Sequence, residues 1–157
     1  MLTMKAKYAL RAMSELARAG DARLQAHELA RRCGAPGKFL EAILVDLRAA
    51  GFVDSRRGQN GGHALTRPPE QIMVGDLIRA IDGPLAPVRC ASVTAYAPCR
   101  DCPDPDACAL RALMREARDA LSRVLDRRSL REFAASGALA SSALASGAVA
   151  PSPTTAH

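Results

Sequence analysis

The chain has 157 residues, 48% of them apolar, which is enough to bury a sizeable core. Aromatic residues make up only 3% and tryptophan is absent, so the core must be aliphatic, which favours helices over a β-sandwich. No stretch has the ~18 to 20 uncharged apolar residues of a membrane span, and Lys5, Lys7 and Arg11 interrupt the N-terminal segment where a signal peptide would be apolar. We therefore expect a soluble cytoplasmic protein with no membrane partner.

The net charge of +6 is concentrated in the first half of the chain. Residues 1–70 hold twelve Lys/Arg against seven Asp/Glu, whereas residues 71–133 hold ten against nine and residues 134–157 hold neither. A polyanionic partner should therefore contact the first half.

Apolar residues recur with a helical period in three segments of this basic half. The pattern predicts helices over Thr3–Ala19, Ala26–Cys33 and Lys38–Ala50, each followed closely by a glycine that favours helix termination. The second and third helices, joined by a short turn, make a helix-turn-helix candidate, with an ordinary αα-hairpin as the alternative. The expected core face of the third helix comprises Phe39, Leu40, Ile43, Leu44 and Leu47.

The segment FVDSRRGQNGGHALTRPP, residues 52–69, predicts a β-hairpin. Two short β-rich runs flank a Gly/Asn tip, and Arg56 and Arg57 lead into it. We expect positive φ at the tip, at Gly58, Asn60, Gly61 and Gly62. A helix-turn-helix followed at once by such a hairpin predicts a winged helix, whose third helix enters the major groove while the wing contacts the backbone or the minor groove.

Residues at the start of the third helix and in the hairpin are the candidate DNA contacts. Lys38 and Glu41 lie off the expected core face. A carboxylate facing DNA either accepts from cytosine N4 or repels phosphate, so Glu41 should select sequence rather than add affinity; the alternative is a solvated helix residue. The full predicted set is Lys38, Glu41, Arg56, Arg57, Gly58, Gln59 and Asn60.

The second half of the chain predicts a short helix ending at Asp82 and a long one starting at Ala109. The apolar stripe of the long helix either packs on its own domain or contacts a second subunit. Ser129 and Glu132 form a capping box for a short last helix through Phe133, and the low-complexity residues 134–157 are expected to be disordered. The predicted dimer contacts are Leu110, Leu113, Ala117, Leu121 and Val124.

The chain contains five cysteines. Cys33 falls within the second helix and reads as a small core residue. The other four, Cys90, Cys99, Cys102 and Cys108, fall within nineteen residues between two predicted helices. Four thiolates suffice for an iron–sulfur cluster or a tetrahedral zinc, and the spacing does not choose between them. Three hypotheses remain for the loop. The first is an iron–sulfur cluster that senses iron, oxygen, nitric oxide or sulfur status; the others are metal-free sensor thiols and structural zinc.

The segments KYALRAMSELA and KFLEAILVDLRAAGFVDSRRGQNGGHALTRPPEQIMVGDLIRAIDGPL, with the downstream cysteine loop, resemble the Rrf2 family of bacterial transcriptional regulators over about residues 1–133. The resemblance implies a homodimeric winged-helix protein that binds a palindromic double-stranded DNA operator. On this basis residues 1–83 are the DNA-binding domain, 84–108 the effector loop, 109–133 the dimerisation helix with a short terminal helix, and 134–157 a tail.

Cluster-binding members of the family carry three cysteines separated by five residues each, with a fourth ligand from elsewhere. Cys102 and Cys108 match the last two positions, whereas Tyr96 stands at the first. In one branch the fourth ligand is a histidine, which would fall at Arg111, and in another it is an aspartate, which would fall at Lys7. Neither an arginine nor a lysine can serve as that ligand. The resemblance thus implies that a 2Fe–2S or 4Fe–4S cluster would take all its ligands from the loop.

Catalysis has no support in the sequence. The three histidines, His27, His63 and His157, are widely separated, and no P-loop or dinucleotide fingerprint is present. We therefore expect a DNA-binding regulator and not an enzyme. The alternative is an iron–sulfur or zinc protein that uses its basic half for protein contacts.

Overall fold

The helical and β-rich patterns form elements close to their predicted positions. A computed structural model of the protein describes the backbone of residues 2–145 and the side chains of residues 2–137. Within residues 2–145 there are six α-helices and one antiparallel two-stranded sheet. In chain order they are α1 (Met4–Ala19), α2 (Ala26–Cys33), α3 (Gly37–Ala49), β1 (Val53–Arg56), β2 (Gly62–Leu65), α4 (Val74–Asp82), α5 (Ala109–Leu125) and α6 (Leu130–Ala145).

The aliphatic core lies where α1, α2 and α3 meet. Met13, Leu16, Leu29, Leu40 and Ile43 are each at most 1% exposed. Burying one such side chain contributes about 1.5 to 3 kcal/mol, so the first three helices form a unit fixed by packing. Because the two-stranded sheet follows α3 directly, the winged-helix prediction is confirmed over the simple αα-hairpin.

Phe39 departs from the predicted core face of α3. It remains 38% exposed, and its ring packs edge-on against Tyr8, with the centroids 5.9 Å apart. Phe39 lies in the first turn of α3, at the rim of the core, where it contacts the surface of α1. The prediction that it belongs to the buried stripe was therefore wrong.

The hairpin pairs β1 with β2 from Val53↔Leu65 to Arg56↔Gly62. Positive φ occurs at Gly58 and Gly62, and no non-glycine residue of the described chain adopts it, so the expectation for Asn60 was wrong. Gly61 is not left-handed either; a side chain there would collide with the Arg56 carbonyl oxygen. Position 61 therefore requires glycine because there is no space for a side chain, and not because the backbone is left-handed.

The linker between α1 and α2 anchors the base of the hairpin. Leu24 and His63 exchange backbone hydrogen bonds of 3.0 and 2.8 Å. Arg23 forms an ion pair with Asp54 of β1 and donates to the Gly62 carbonyl at 3.1 Å. The wing is thus fixed to the helical core through two neighbouring residues.

The C-terminal end of α5 is attached to α4. Arg79 makes a two-pronged ion pair with Asp126, with N–O distances of 2.7 and 2.8 Å. The Val74 amide donates to the Arg128 carbonyl at 2.9 Å just beyond it. In contrast, none of the residues of α5 is fully buried, so the helix lies on the surface of the subunit and only Leu125 at its end packs against the core.

The capping box at the start of α6 is confirmed, since the Ser129 amide donates to Glu132 at 2.9 Å and the Glu132 amide donates to the Ser129 hydroxyl at 3.2 Å. However, α6 continues to Ala145, whereas disorder was predicted from residue 134. Alanine has the strongest helix propensity, and Ala134 is buried beside α1, where its carbonyl accepts from Arg18 at 2.8 Å. Residues 146–157 of the predicted tail lie outside the described residues.

None of the helices described is long and apolar enough to cross a membrane.

Candidate nucleic-acid interface and cysteine loop

The outward face of α3 and the wing form one continuous surface. Lys38 and Glu41 are exposed on α3, as are Arg56, Arg57 and the residues 58–60 on the wing. A cleft of about 200 Å³ lies between the two parts. It is lined by Glu41, Leu44, Val45, Arg48, Ser55 and His63. The structure therefore places Glu41 beside the base of the wing, while the arginines and the glycine-rich tip lie further out.

Acidic groups on this side of the molecule are mostly paired. Asp46 of α3 forms a 2.5 Å ion pair with Lys5. Asp54 pairs with Arg23, whose hydrogen bond lowers the pKa of that carboxyl. The Arg56 side chain is 71% exposed and lies 3.7 Å from Asp54. The surface thus keeps a positive balance suited to a phosphate backbone.

Three features of this surface were missed by the predicted contact set: Arg48, the aliphatic residues of the outward face, and His63. Val45 is 66% exposed and Arg48 is also exposed one turn of helix away. The signal was available, because Ala42, Val45 and Ala49 repeat at helical spacing off the core stripe.

His63 lies at the wing base, where its Nδ1 is 2.7 Å from the Ser55 hydroxyl. Burial, followed by the charges of Arg23 and Arg48, lowers the pKa of His63. The imidazole is therefore neutral at neutral pH and packs as part of the wing.

The predicted dimer residues lie together on an uncovered face of α5. Leu110, Leu113, Leu121 and Val124 are 59%, 57%, 45% and 62% exposed, and Ala117 is half-buried between them. Exposed large aliphatic side chains at helical spacing form a contiguous apolar patch, which is typical of an interaction surface.

The four loop cysteines fall into two pairs. Cys90 is buried and Cys99 exposed, and a hydrogen bond between their side chains raises the pKa of the Cys99 thiol. Cys102 and Cys108 are both half-buried, and burial, followed by the neighbouring Cys108, raises the pKa of the Cys102 thiol. Cys90 also contributes to the raised pKa of Cys102, so the two pairs lie within electrostatic reach of each other.

The donor chemistry of the loop fits an iron–sulfur cluster or zinc, since both accept four thiolates. In the part of the chain that the structure describes, no three Cys, His, Asp or Glu side chains are close enough together to hold a metal ion. The structure brings the four cysteines into one loop as two pairs but does not assemble them around a common centre, and the four-ligand set stays a prediction.

Arg111 of α5 donates hydrogen bonds to several atoms of the cysteine loop. Its Nε donates to the Cys90 carbonyl at 3.0 Å, and its Nη1 donates to the Pro105 carbonyl at 3.1 Å and to Asp106 at 2.7 Å. The guanidinium also lies 5.8 Å from the centroid of the Tyr96 ring. Arg111 therefore connects both ends of the loop to α5, at the position where the family resemblance would place a histidine ligand in one branch.

A second arginine of α5 acts in the same way. Arg118 donates to the carbonyl of Ala91 at 2.5 Å, next to Cys90. Two successive carbonyls of the 3-10 turn Arg89–Ala91 are thus held by side chains of α5. By contrast, Cys33 is 4% exposed in the core, and burial raises its pKa to about 11, as expected of a packing residue.

Comparisons with known proteins agree with this arrangement. The family model described as "Rrf2: Iron-dependent Transcriptional regulator" matches residues 2–136. An rrf2-like HTH-type transcriptional regulator of Rhodobacter capsulatus is 43% identical over 141 residues, which cover 87% of this chain and 94% of that protein. The HTH-type transcriptional regulator CymR of Bacillus subtilis is 32% identical over 134 residues, covering 85% and 88%.

Solved structures give the same result. The structure of CymR (YrzC), the global cysteine regulator of B. subtilis, superposes with a TM-score of 0.70 at 33% identity and covers 86% of this chain and 96% of that one. T. potens IscR gives a TM-score of 0.68 at 26% identity, covering 89% and 90%. These relatives are regulators and not enzymes, so the expectation of a non-enzyme is confirmed and the alternative of a metal protein that is no regulator is set aside. The chain belongs to the Rrf2 family of transcriptional regulators.

Proposed function

We propose that this protein is a homodimeric regulator that binds palindromic DNA operators in the cytoplasm through α3 and the wing. The observation that carries the proposal is the surface on which the exposed face of α3 adjoins an arginine-bearing hairpin across a shared cleft. A helix of this kind fits the major groove, and a hairpin beside it reaches the backbone or the minor groove.

The charged residues of this surface have separate roles. Lys38 lies in the first turn of α3 and Arg56 and Arg57 on the wing, where they can neutralise phosphates, and Arg57 can also enter a narrow minor groove. The exposed backbone of residues 58–60 lets the tip approach the DNA closely, with Gln59 and Asn60 as hydrogen-bonding groups. Glu41 accepts from cytosine and so acts on sequence preference.

A second copy of the chain is the proposed occupant of the apolar face of α5. One recognition helix per subunit contacts only a short DNA site. A two-fold dimer doubles the length of that site and the number of protein–DNA contacts. Leu110, Leu113, Leu121 and Val124 are too exposed to serve the subunit's own core, and the two-fold axis would bring this patch against itself.

The cysteine loop is the proposed effector site, with an iron–sulfur cluster as its occupant. Cys99, Cys102 and Cys108 would hold it, with Cys90 as the fourth ligand. The description of the matching family as iron-dependent supports this choice. A cluster would supply redox chemistry and a strong bond to the loop. The chain's own part is to gather the thiols, and Arg111 and Arg118 keep the loop against α5 while it does so.

Metal-free thiols are the second candidate, which the pairing of Cys90 with Cys99 and of Cys102 with Cys108 favours. The raised pKa of Cys99 and Cys102 keeps both thiols protonated at neutral pH, so oxidants that attack thiolates would react slowly. Visible absorption of anaerobically purified protein, with iron, sulfide and zinc analysis, separates the readings. Iron with sulfide supports the cluster, and zinc alone supports a structural metal. Protein that contains neither metal supports metal-free thiols.

DNA binding itself is tested by selection from a random double-stranded library, followed by fluorescence anisotropy at increasing salt. We expect a palindromic consensus, and an affinity that falls linearly with log salt for both the consensus and scrambled DNA, with a sequence-dependent excess for the consensus. Equal affinity for scrambled DNA would contradict sequence-specific recognition.

A further inference from the structure

The outward face of α3 carries a second apolar stripe that the protein core does not use. Its members are Ala42, Val45 and Ala49, all exposed, and Val45 is 66% exposed. The core stripe, which contains Leu40, Ile43, Leu44 and Leu47, lies on another side of the same helix and is at most 2% exposed. The protein core covers only one of these two apolar stripes, and the other is left open toward the cleft between α3 and the wing.

The charged neighbours of this stripe identify what it faces. Glu41 and Arg48 lie beside Val45 and line the cleft to the wing together with it. Asp46, the acidic residue next to Val45, is engaged by Lys5 and does not add to the charge of this face. An aliphatic stripe between a carboxylate and a guanidinium, with Arg56 and Arg57 nearby on the wing, is suited to a groove with phosphate walls and mixed base edges.

We infer that Val45, flanked by Ala42 and Ala49, reads thymine methyl groups in the major groove and is a specificity-determining residue of this regulator. The inference rests on the proposed DNA-binding function. The thymine C5-methyl is the apolar feature that a base presents in that groove, and aliphatic side chains recognise it by contact. The small side chains of Ala42 and Ala49 let the helix come close enough for the Val45 methyls to touch it.

The test uses the sequence selected from the random library as its probe. Each thymine is replaced in turn by deoxyuracil, which pairs identically and lacks only the methyl group. For the wild type, replacement at the contacted position should weaken binding about fourfold, the factor that corresponds to one buried methyl group. Val45→Ala should bind the thymine and uracil versions of that position almost equally.

The matched control is Val93→Ala. Val93 is 75% exposed, belongs to the segment between α4 and α5, and does not line the cleft between α3 and the wing, so this variant should keep the wild-type sensitivity to uracil. Thermal denaturation should show that both variants fold, because neither removes a buried side chain.

Two results would overturn the assignment while leaving DNA recognition intact: equal binding of thymine and uracil at every position, or a Val45→Ala variant as sensitive to uracil as the wild type. Selection that returns no preferred sequence would instead overturn the proposed function, and this assignment with it.

Discussion

Arg111 of α5 donates a 3.0 Å hydrogen bond from Nε to the carbonyl oxygen of Cys90, the buried member of the cysteine loop. The same guanidinium binds Pro105 and Asp106 on the other side of the loop. The loop is therefore attached to the helix that carries the proposed dimer face. At its other end α5 is bound to the winged domain through Arg79 and Asp126.

Replacing Arg111 by Met should release the loop from α5 without unfolding the winged domain. Cys90, now 8% exposed, should react faster with a thiol reagent, and amide exchange of residues 89–92 should accelerate. The control is Arg115→Met, because Arg115 is exposed on the same helix. Unchanged Cys90 reactivity in the Arg111 variant would show that Arg111 does not hold the loop.

Arg57→Ala and Glu41→Ala should have different effects on DNA binding. Loss of Arg57 should weaken binding to all sequences, by about 1 to 3 kcal/mol if the side chain reaches base edges or a narrow minor groove. Loss of Glu41 should relax the sequence preference and leave nonspecific binding unchanged or tighter, because a carboxylate near phosphates is removed. Anisotropy titrations with consensus and scrambled DNA measure both effects. If both variants keep full affinity and specificity, the placement of the DNA on this surface is wrong.

Leu121→Glu should dissociate the proposed dimer, since it places a charge in an apolar interface. Analytical ultracentrifugation at low concentration should find a monomer that is still folded, because Leu121 is 45% exposed in the subunit. Its melting temperature should be lower than that of the wild type, because association with a partner no longer stabilises the folded state. Val93→Glu introduces the same charge at an exposed valine outside α5 and should leave the dimer intact. A dimeric Leu121 variant would remove α5 as the contact.

His63 should make the fold less stable in mildly acidic solution. Its pKa is lowered in the folded protein, so the unfolded chain binds the proton more readily. Stability is therefore complete above the ordinary histidine pKa of 6.5 and falls as the pH drops below it. His63→Gln, compared with His27→Gln at an exposed site, should reduce the loss of melting temperature between about pH 7.5 and about pH 5.5. An equal loss of melting temperature in the His63 variant and the wild type would show that protonation of His63 does not cause the acid sensitivity.

The sequence predicted those parts of the fold that depend on local pattern. α2 has the predicted bounds and α5 the predicted start, because a regular apolar period defines both helices and Gly34 ends α2 in a left-handed conformation. Phe39 was misplaced because periodicity does not show where a core ends, and α6 was cut short because low complexity was given more weight than alanine's helix propensity. The spacing of the four cysteines does not show which of them lie close together, because that depends on the tertiary path of the loop between α4 and α5.

The candidate site shows the same division. The predicted charged contacts are Lys38, Glu41, Arg56 and Arg57. They follow from a recognisable helix and hairpin, and the structure leaves all four exposed. The helical spacing of Ala42, Val45 and Ala49 is visible in the sequence, but exposed aliphatic residues are common, so the stripe becomes informative only once the burial of the opposite face is known.

The most direct measurement of the central claim, that the cysteine loop controls operator binding, is the affinity of anaerobically purified protein for the selected operator before and after exposure to oxygen or a chelator. The wild type should change its affinity by about tenfold or more, which is the usual range of allosteric coupling. Cys33→Ala should respond like the wild type, and Cys102→Ser and Cys108→Ser should remain folded dimers fixed in one state. An operator affinity that is insensitive to these treatments and to both serine substitutions would contradict the claim and leave the loop as a connection between α4 and α5.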